Sequence, residues 1–235
     1  MLTLSIETAT DRVGCALADD DTVVAEFELT QGRRHAETLL PAVEACLAQV
    51  GASVDRIGAV VADVGPGLFT GLRVGLATAR SLAYALDLAA VGVTSLEVMA
   101  HPLHLTGRLV CPVIDARRGE VFWQLFRPTA DAVEPVGGPQ CTSPELLAAE
   151  LRGLHEPLVL CGDGTVRYPA TVADLGDALV LGAEWAFPSA ATLLTLGLRE
   201  LRAGRGVRGD ELEPRYLRAP DAAINWSTRD GAVRA

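Results

Sequence analysis

Between Val60 and Leu86 the sequence reads VVADVGPGLFTGLRVGLATARSLAYAL, and this stretch restricts the fold more than any other. An apolar run passes through a turn holding Gly65, Pro66 and Gly67, then enters a segment with helical spacing. Glycines flanking a proline reach backbone angles closed to other residues, and Thr70 is placed to cap the helix that follows. Within that helix Gly71, Gly75, Ala79 and Ala83 recur at every fourth position, which draws a stripe of minimal side chains down one face. Such a face packs backbone against backbone. It is pressed onto the chain's own sheet or reserved for a helix of another molecule.

A helix start of this kind also attracts anions through its unpaired N–H groups. The spacing Gly65-x-Gly67-x3-Gly71 matches neither the dinucleotide fingerprint nor the Walker A loop, which ends in Gly-Lys-Ser/Thr. The 20 basic residues are all arginine, so no lysine is available for a phosphate. A formal charge of −10 repels polyanions at long range, and any role on nucleic acid has to borrow a partner's basic surface. The arginines cluster at Arg33-Arg34, Arg117-Arg118 and Arg199 to Arg208 without interleaved stacking aromatics, the pattern of solvated faces.

With 235 residues, 49% of them hydrophobic, the chain is long enough for one large domain or two small lobes with a real core. Cys15, Cys46, Cys111, Cys141 and Cys161 form no CxxC pair and are odd in number, which reads as reduced thiols of a cytoplasmic protein. No basic and apolar leader precedes the first strand, and Arg80 and Asp87 interrupt the longest apolar stretches, so neither a signal peptide nor a membrane span is expected.

Strands are expected over Leu2 to Ile6, Val13 to Leu17 and Thr22 to Leu29, an opening antiparallel meander. A helix follows over His35 to Val50, with Ala36, Leu40, Val43, Leu47 and Val50 on one stripe, and Pro41 bends it or marks its true start. Then come a strand at Ile57 to Ala62, the small-residue helix Thr70 to Leu86, a strand at Ala89 to Val93 and a helical turn at Ser95 to Ala100. A second lobe offers strands at Leu109 to Ile114, Val121 to Phe126, Leu158 to Leu160 and Ala178 to Leu181, with helices at Pro144 to Arg152 and Ser189 to Arg202. The expected division is a first lobe over residues 1–106 completed by the helix at 189–203, a smaller lobe over 107–188, and a C-terminal segment and tail over 204–235.

Little in this chain nominates itself for catalysis. His101 and His104 are two ligands at most, with Pro102 between them, and no HExxH or GxSxG occurs. Glu7 and Asp115, each near the end of an apolar strand and followed by a turn, are the best-placed carboxylates; capping their own turns is the plainer role.

Six segments, IETAT (6–10), RRHAETLLPAVEACL (33–47), GPGLFTGLRVG (65–75), GVTSLEVMA (92–100), IDARRGEVFW (114–123) and EPRYLR (213–218), resemble the TsaB (YeaZ) family in that family's order. That family is the dimerization subunit of the bacterial machinery that makes threonylcarbamoyladenosine next to the tRNA anticodon. The resemblance implies an α/β fold of the actin/Hsp70/sugar-kinase (ASKHA) type, with two related lobes of mixed sheet flanked by helices. It implies a non-catalytic partner of a TsaD-like catalytic subunit, working with a TsaE-like ATPase, with homodimers possible in the family and tRNA met only through the complex. The metal-binding HxxxH of TsaD falls on Ser95 and Met99 here, so no metal is expected, and no cofactor in the isolated chain; ATP and metal belong to partner subunits. The implied partner interface is His35, Leu39, Leu40, Val43 and Leu47 on one helix with Gly71, Arg73, Val74, Gly75, Ala79 and Leu82 on the other. Glu7, Thr8, Gly65, Gly67 and Thr70 would form a vestigial anion loop. The alternative is a small ATP-dependent kinase of the same fold, in which GPGLFTG holds phosphate.

Overall fold

Alternating apolar runs and turn residues fold into two five-stranded sheets with one topology used twice. The computed structural model describes residues 1–30 and 34–218; Arg33 and the tail beyond residue 218 lie outside them. The first sheet contains β1 (Leu2–Glu7), β2 (Arg12–Asp19), β3 (Thr22–Thr30), β4 (Ile57–Asp63) and β5 (Ala89–Val93), in the order β3-β2-β1-β4-β5. The second contains β6 (Leu109–Arg117), β7 (Glu120–Pro128), β8 (Val133–Thr142), β9 (Leu158–Cys161) and β10 (Leu179–Val180), in the order β10-β9-β6-β7-β8. Read from its own third strand, the second order is the first one repeated. In each sheet an antiparallel meander is followed by two strands parallel to the first. This duplicated arrangement is the ASKHA fold.

Parallel strands need both faces covered, and helices do this for both sheets. Helices α1 (His35–Gln49) and α2 (Phe69–Leu86) pack on one face of the first sheet, around Leu4, Ile6, Val60 and Ala62. Helix α7 (Ala190–Arg202) covers the other face, where Gly197 lets its backbone settle onto Val61. On the second sheet, α3 (Ser95–Ala100) and the following turn His101–Thr106 cover one face, and α4 (Pro144–Arg152) with the stretch after α5 (Asp163–Arg167) and α6 (Pro169–Val172) the other. The segment Ser95–Thr106 therefore packs against the second sheet although it precedes it in sequence.

Two expectations about the helices change. Helix α1 runs unbroken from His35 through Pro41, and its buried residues are His35, Leu39, Ala42, Val43, Cys46 and Leu47. Leu40 and Ala36 lie outside, because the sheet selects the stripe one residue away from the heptad-like one. Helix α2 begins at Phe69 with Leu68 as N-cap and no side-chain cap, so Thr70 does not cap it. Its start is fixed instead by the Leu68 N–H, which donates to the carbonyl of Ala9 at 2.7 Å.

The small-residue stripe faces inward. A Cβ on Gly71 would meet the carbonyl oxygen of Thr8 at 2.1 Å, and one on Gly75 the hydroxyl oxygen of Thr8 at 2.2 Å. Ala79 and Ala83 are buried in the same core. Thr8 completes the contact by donating its hydroxyl to the carbonyl of Gly71 at 2.9 Å. Gly75→Ala should accordingly cost about 2 kcal/mol as an overpacked contact, whereas Ala77→Arg, on the exposed side of the same helix, should stay within about 0.5 kcal/mol of the parent in urea unfolding.

Candidate functional site

Three carboxylates stand at the ends of three strands, Glu7 and Asp63 as the last residues of β1 and β4 and Asp115 two residues before the end of β6, and each folds back on the chain that follows. Glu7 Oε1 accepts from the N–H of Ala9 at 2.7 Å, Asp63 Oδ1 from Gly65 at 2.7 Å, and Asp115 Oδ1 from Arg117 at 3.0 Å. Each acceptor lies two residues before its donor, the geometry by which short acidic side chains stabilise a turn. The capping role expected for Glu7 and Asp115 is thus present. Asp63 was missed in the sequence, although it carries the same signal of an apolar strand, an acid and then a glycine turn.

These turns bring the glycine loop against the loop between β1 and β2. A Cβ on Gly67 would stand 2.2 Å from the carbonyl oxygen of Ala9, and Gly65 holds a φ of 94° beside the backbone of Arg215. His35 reaches in from α1, its Nε2 bonded to the carbonyl of Thr10 at 2.7 Å. The structure therefore gathers Glu7, Thr8, Gly65 and Gly67, while Thr70 stays exposed on the first turn of α2. The backbone donors gathered here are satisfied internally: the N–H groups of Ala9 and Gly65 go to Glu7 and Asp63, and that of Leu68 to Ala9. Burial pushes the Glu7 carboxyl well above its ordinary range, reinforced by neighbouring Asp63. Burial likewise pushes Asp63 up to about 7, against the lowering by the Ser95 hydroxyl and the Gly65 N–H. A pair of buried acids is a poor host for phosphate.

The second lobe treats its strand-end acid differently. Asp115, 1% exposed, meets Arg117 Nη1 at 2.7 Å and Arg167 Nε at 3.3 Å, and accepts from the Tyr168 hydroxyl at 3.3 Å. Arg117 Nη2 also reaches Asp11 of the first lobe at 2.5 Å, an ion pair that joins the two sheets' opening loops. Neighbouring Asp163 caps the backbone N–H of Asp115 at 2.8 Å and is pushed up to about 6, mainly by burial.

Ser95 and Met99, where the resemblance leaves no metal ligands, have other work. Ser95 donates its hydroxyl to Asp63 at 2.6 Å, and Met99 is buried in the core of the second sheet. His101 and His104 stack with centroids 5.3 Å apart, and burial, aided by Arg199 and His104, pulls His101 down to about 4, so it is neutral. Among the described residues no group of three or more His, Cys, Asp or Glu is arranged to hold a metal ion. Nor is any helix among them long and apolar enough to cross a membrane.

The implied interface divides in two. His35, Leu39, Val43 and Leu47 of α1 and Gly71, Gly75 and Ala79 of α2 are buried in this chain's own core, which corrects their placement at a partner contact: the sheet beneath already occupies that side. Leu40 and Arg73 are exposed, and Val74 and Leu82 half-buried. Arg73 stacks on Phe69, 3.8 Å from the ring centroid, and its Nε donates to the Tyr216 hydroxyl at 3.5 Å.

The family model described as TsaD: tRNA N6-adenosine threonylcarbamoyltransferase matches residues 22–226. Over 221 residues the chain is 34% identical to the tRNA threonylcarbamoyladenosine biosynthesis protein TsaB of Escherichia coli strain K12, covering 93% of this chain and 95% of that one. The chain belongs to this family and, within it, to the TsaB (YeaZ) group. The TsaB protein of Bacillus subtilis strain 168 is 33% identical over 232 residues, covering 96% of this chain and 98% of its own. Among solved structures, YeaZ from Pseudomonas aeruginosa superposes with a TM-score of 0.80 at 25% identity, over 92% of this chain and 99% of that one.

The Arg117 pairings set an expectation for stability. Arg117→Ala leaves Asp115 buried with only Arg167 opposite, and should cost roughly 2 kcal/mol in urea unfolding. Arg127→Ala, which removes an exposed pair with Glu156, should cost under about 1 kcal/mol.

Proposed function

We propose that this chain is the non-catalytic partner subunit that binds and activates a TsaD-like catalytic subunit for threonylcarbamoyl transfer to the adenosine next to the tRNA anticodon. The observation that carries this reading is similarity along almost the full length to TsaB proteins of the threonylcarbamoyladenosine pathway. Ser95 and Met99, engaged with Asp63 and with the core, add to it, since neither has an imidazole to offer a metal. A kinase is disfavoured, because buried acids and internally satisfied donors fill the loop that would have to cradle phosphate.

The contact with the catalytic subunit is read onto the outward faces of α1 and α2, which pack side by side. Leu40 is 53% exposed and Tyr84 86% exposed, with Ala77, Ala85 and Arg73 on the same outer side and Val74 and Leu82 beneath them. Small residues between larger apolar ones suit close helix packing, and an aromatic with an arginine is typical of the residues that dominate interfaces. The same face serves a second copy in a homodimer or the catalytic subunit in a heterodimer. A TsaE-like ATPase completes the assembly; ATP and metal belong to the partners, and the strong negative charge leaves tRNA contact to the complex.

Reconstitution tests the reading. The isolated chain should neither hydrolyse ATP nor modify tRNA, and adding TsaD-like and TsaE-like subunits with threonylcarbamoyl-adenylate and ATP should yield modified tRNA. Leu40→Glu and Ala77→Arg should keep the parent melting temperature yet weaken binding of the TsaD-like subunit by roughly 100-fold, about 2.7 kcal/mol. Folded variants that bind normally would remove the interface from this face, and turnover by the isolated chain would favour the kinase.

A further inference from the structure

Glu7 and Asp63 stand side by side with nothing of opposite charge between them. Strands β1 and β4 run parallel with Ile6 beside Ala62, so the next residues, Glu7 and Asp63, share one level and one face of the sheet. Glu7 is 0% exposed and Asp63 3% exposed. Each uses one carboxyl oxygen, Glu7 Oε1 toward Ala9 and Asp63 Oδ1 toward Gly65 and Ser95. The other oxygens, Glu7 Oε2 and Asp63 Oδ2, are buried without a hydrogen-bond partner. Two ionised carboxylates in that position leave lone pairs and charge uncompensated, which is among the costliest arrangements a protein interior can hold.

The surroundings supply no relief. From β2 and β3, Arg12 and Glu28 face Glu7 but pair with each other at 2.6 Å. Helix α1 offers only His35, committed to Thr10; Gly71 and Gly75 of α2 meet Thr8 and Leu72 meets Gly65; α3 contributes the Ser95 hydroxyl; and α7 contributes Ala190, next to Gly14 and Glu7. Arg117 of the second lobe is engaged by Asp11 and Asp115, and Arg215 approaches Gly65 through its backbone.

We propose that Glu7 and Asp63 hold one proton between them at neutral pH, as an acid–carboxylate pair that clasps the β1–β2 loop to the glycine loop. The proton sits on Glu7 Oε2 and is donated to Asp63 Oδ2. Asp63 is the ionised member because two donors already stabilise charge on its Oδ1, whereas Glu7 has one. Both loops lie under the helix pair, through Thr10 to His35, Thr8 to Gly71 and Ala9 to Leu68. Glu7 and Asp63 themselves share the opposite face of the sheet with Ser5 and Val61, on the side of α7, so losing the proton would set two like charges against each other there, behind the loops that seat α1 and α2.

The sign of the pH dependence follows. Both carboxyls are raised in the folded chain, so it binds more protons than the unfolded chain above the ordinary carboxylate range. The stabilisation is complete below that range and falls as pH rises, first by the Asp63 proton near about 7, which leaves the one-proton pair, and then by the proton on Glu7. Asp63→Asn retains the acceptor for Ser95 and Gly65 and offers an NH2 to Glu7 Oε2, which imitates the protonated pair with no proton to lose. Infrared spectra of the full chain at neutral pH should contain the carbonyl band of a neutral carboxylic acid, and Glu7→Gln should remove it. The parent should lose roughly 5 °C of melting temperature between about pH 5 and about pH 9 that Asp63→Asn does not lose. Absence of the band in the parent chain would overturn the proposal without requiring any variant to fold. So would equal pH dependence in parent and Asp63→Asn, or a melting temperature at high pH restored by sodium or magnesium chloride beyond the effect of choline chloride, which would put a cation where the proton is placed.

Discussion

The backbone of α2 lies directly against Thr8 and Ala9, and the rest of the first lobe is arranged around that approach. Gly67, Gly71 and Gly75 are the points of closest passage, and a single methyl group at any of them would enter the volume of a backbone or hydroxyl oxygen. Because no side chain intervenes, the helix is positioned by hydrogen bonds, from Leu68 to Ala9 and from Thr8 to Gly71, as well as by packing. Helix α1 is then fixed from two sides, by the sheet beneath it and by His35, which reaches across to Thr10. The outward side of the pair is thereby set by residues that never reach the surface.

The strand-end acids translate one local device into two outcomes. The turn cap is the same at residues 7, 63 and 115, yet the second lobe surrounds its acid with Arg117 and Arg167 while the first sets two acids together. A guanidinium neutralises a buried carboxylate through paired donors. Where none is available, protonation is the remaining route, which is why the first lobe and not the second concentrates raised carboxyls next to each other.

Much of this was legible in the residues. The strands of both lobes announce themselves by apolar runs between acidic or glycine turns, and the caps Thr94, Ser143 and Ser189 sit where helices α3, α4 and α7 begin. Strand β8 escaped because Pro135, Gly137, Gly138 and Pro139 read as loop; as an edge strand it tolerates them. The phase of α1 escaped for a different reason. Ala36 and Leu40 make an apolar stripe as good as the true one, and only the position of the sheet chooses between them. Small residues on α2 carried the same ambiguity, since a stripe of glycine and alanine describes closeness without naming the neighbour. The candidate site was half visible: Glu7 and Asp115 stand out at strand ends, but Asp63 gains its meaning from parallel pairing, which no local pattern contains.

The segment from Leu212 to Arg218 crosses from one lobe to the other. Leu212 is buried beside α2, where its carbonyl accepts from Arg80; Arg215 donates its N–H to Val64 at 2.7 Å; Leu217 packs on the core of the second sheet; and Arg218 pairs with Glu120 at 2.7 Å. Two lobes joined in this way move by default about a waist where they meet, unless something ties them across it. Here a strap runs over that waist and is fastened on both banks, so any swing has to undo a buried leucine, a backbone hydrogen bond and an ion pair together. The consequence is mechanical: a displacement of one lobe at this strap is passed to the other through a buried side chain, a hydrogen bond and an ion pair.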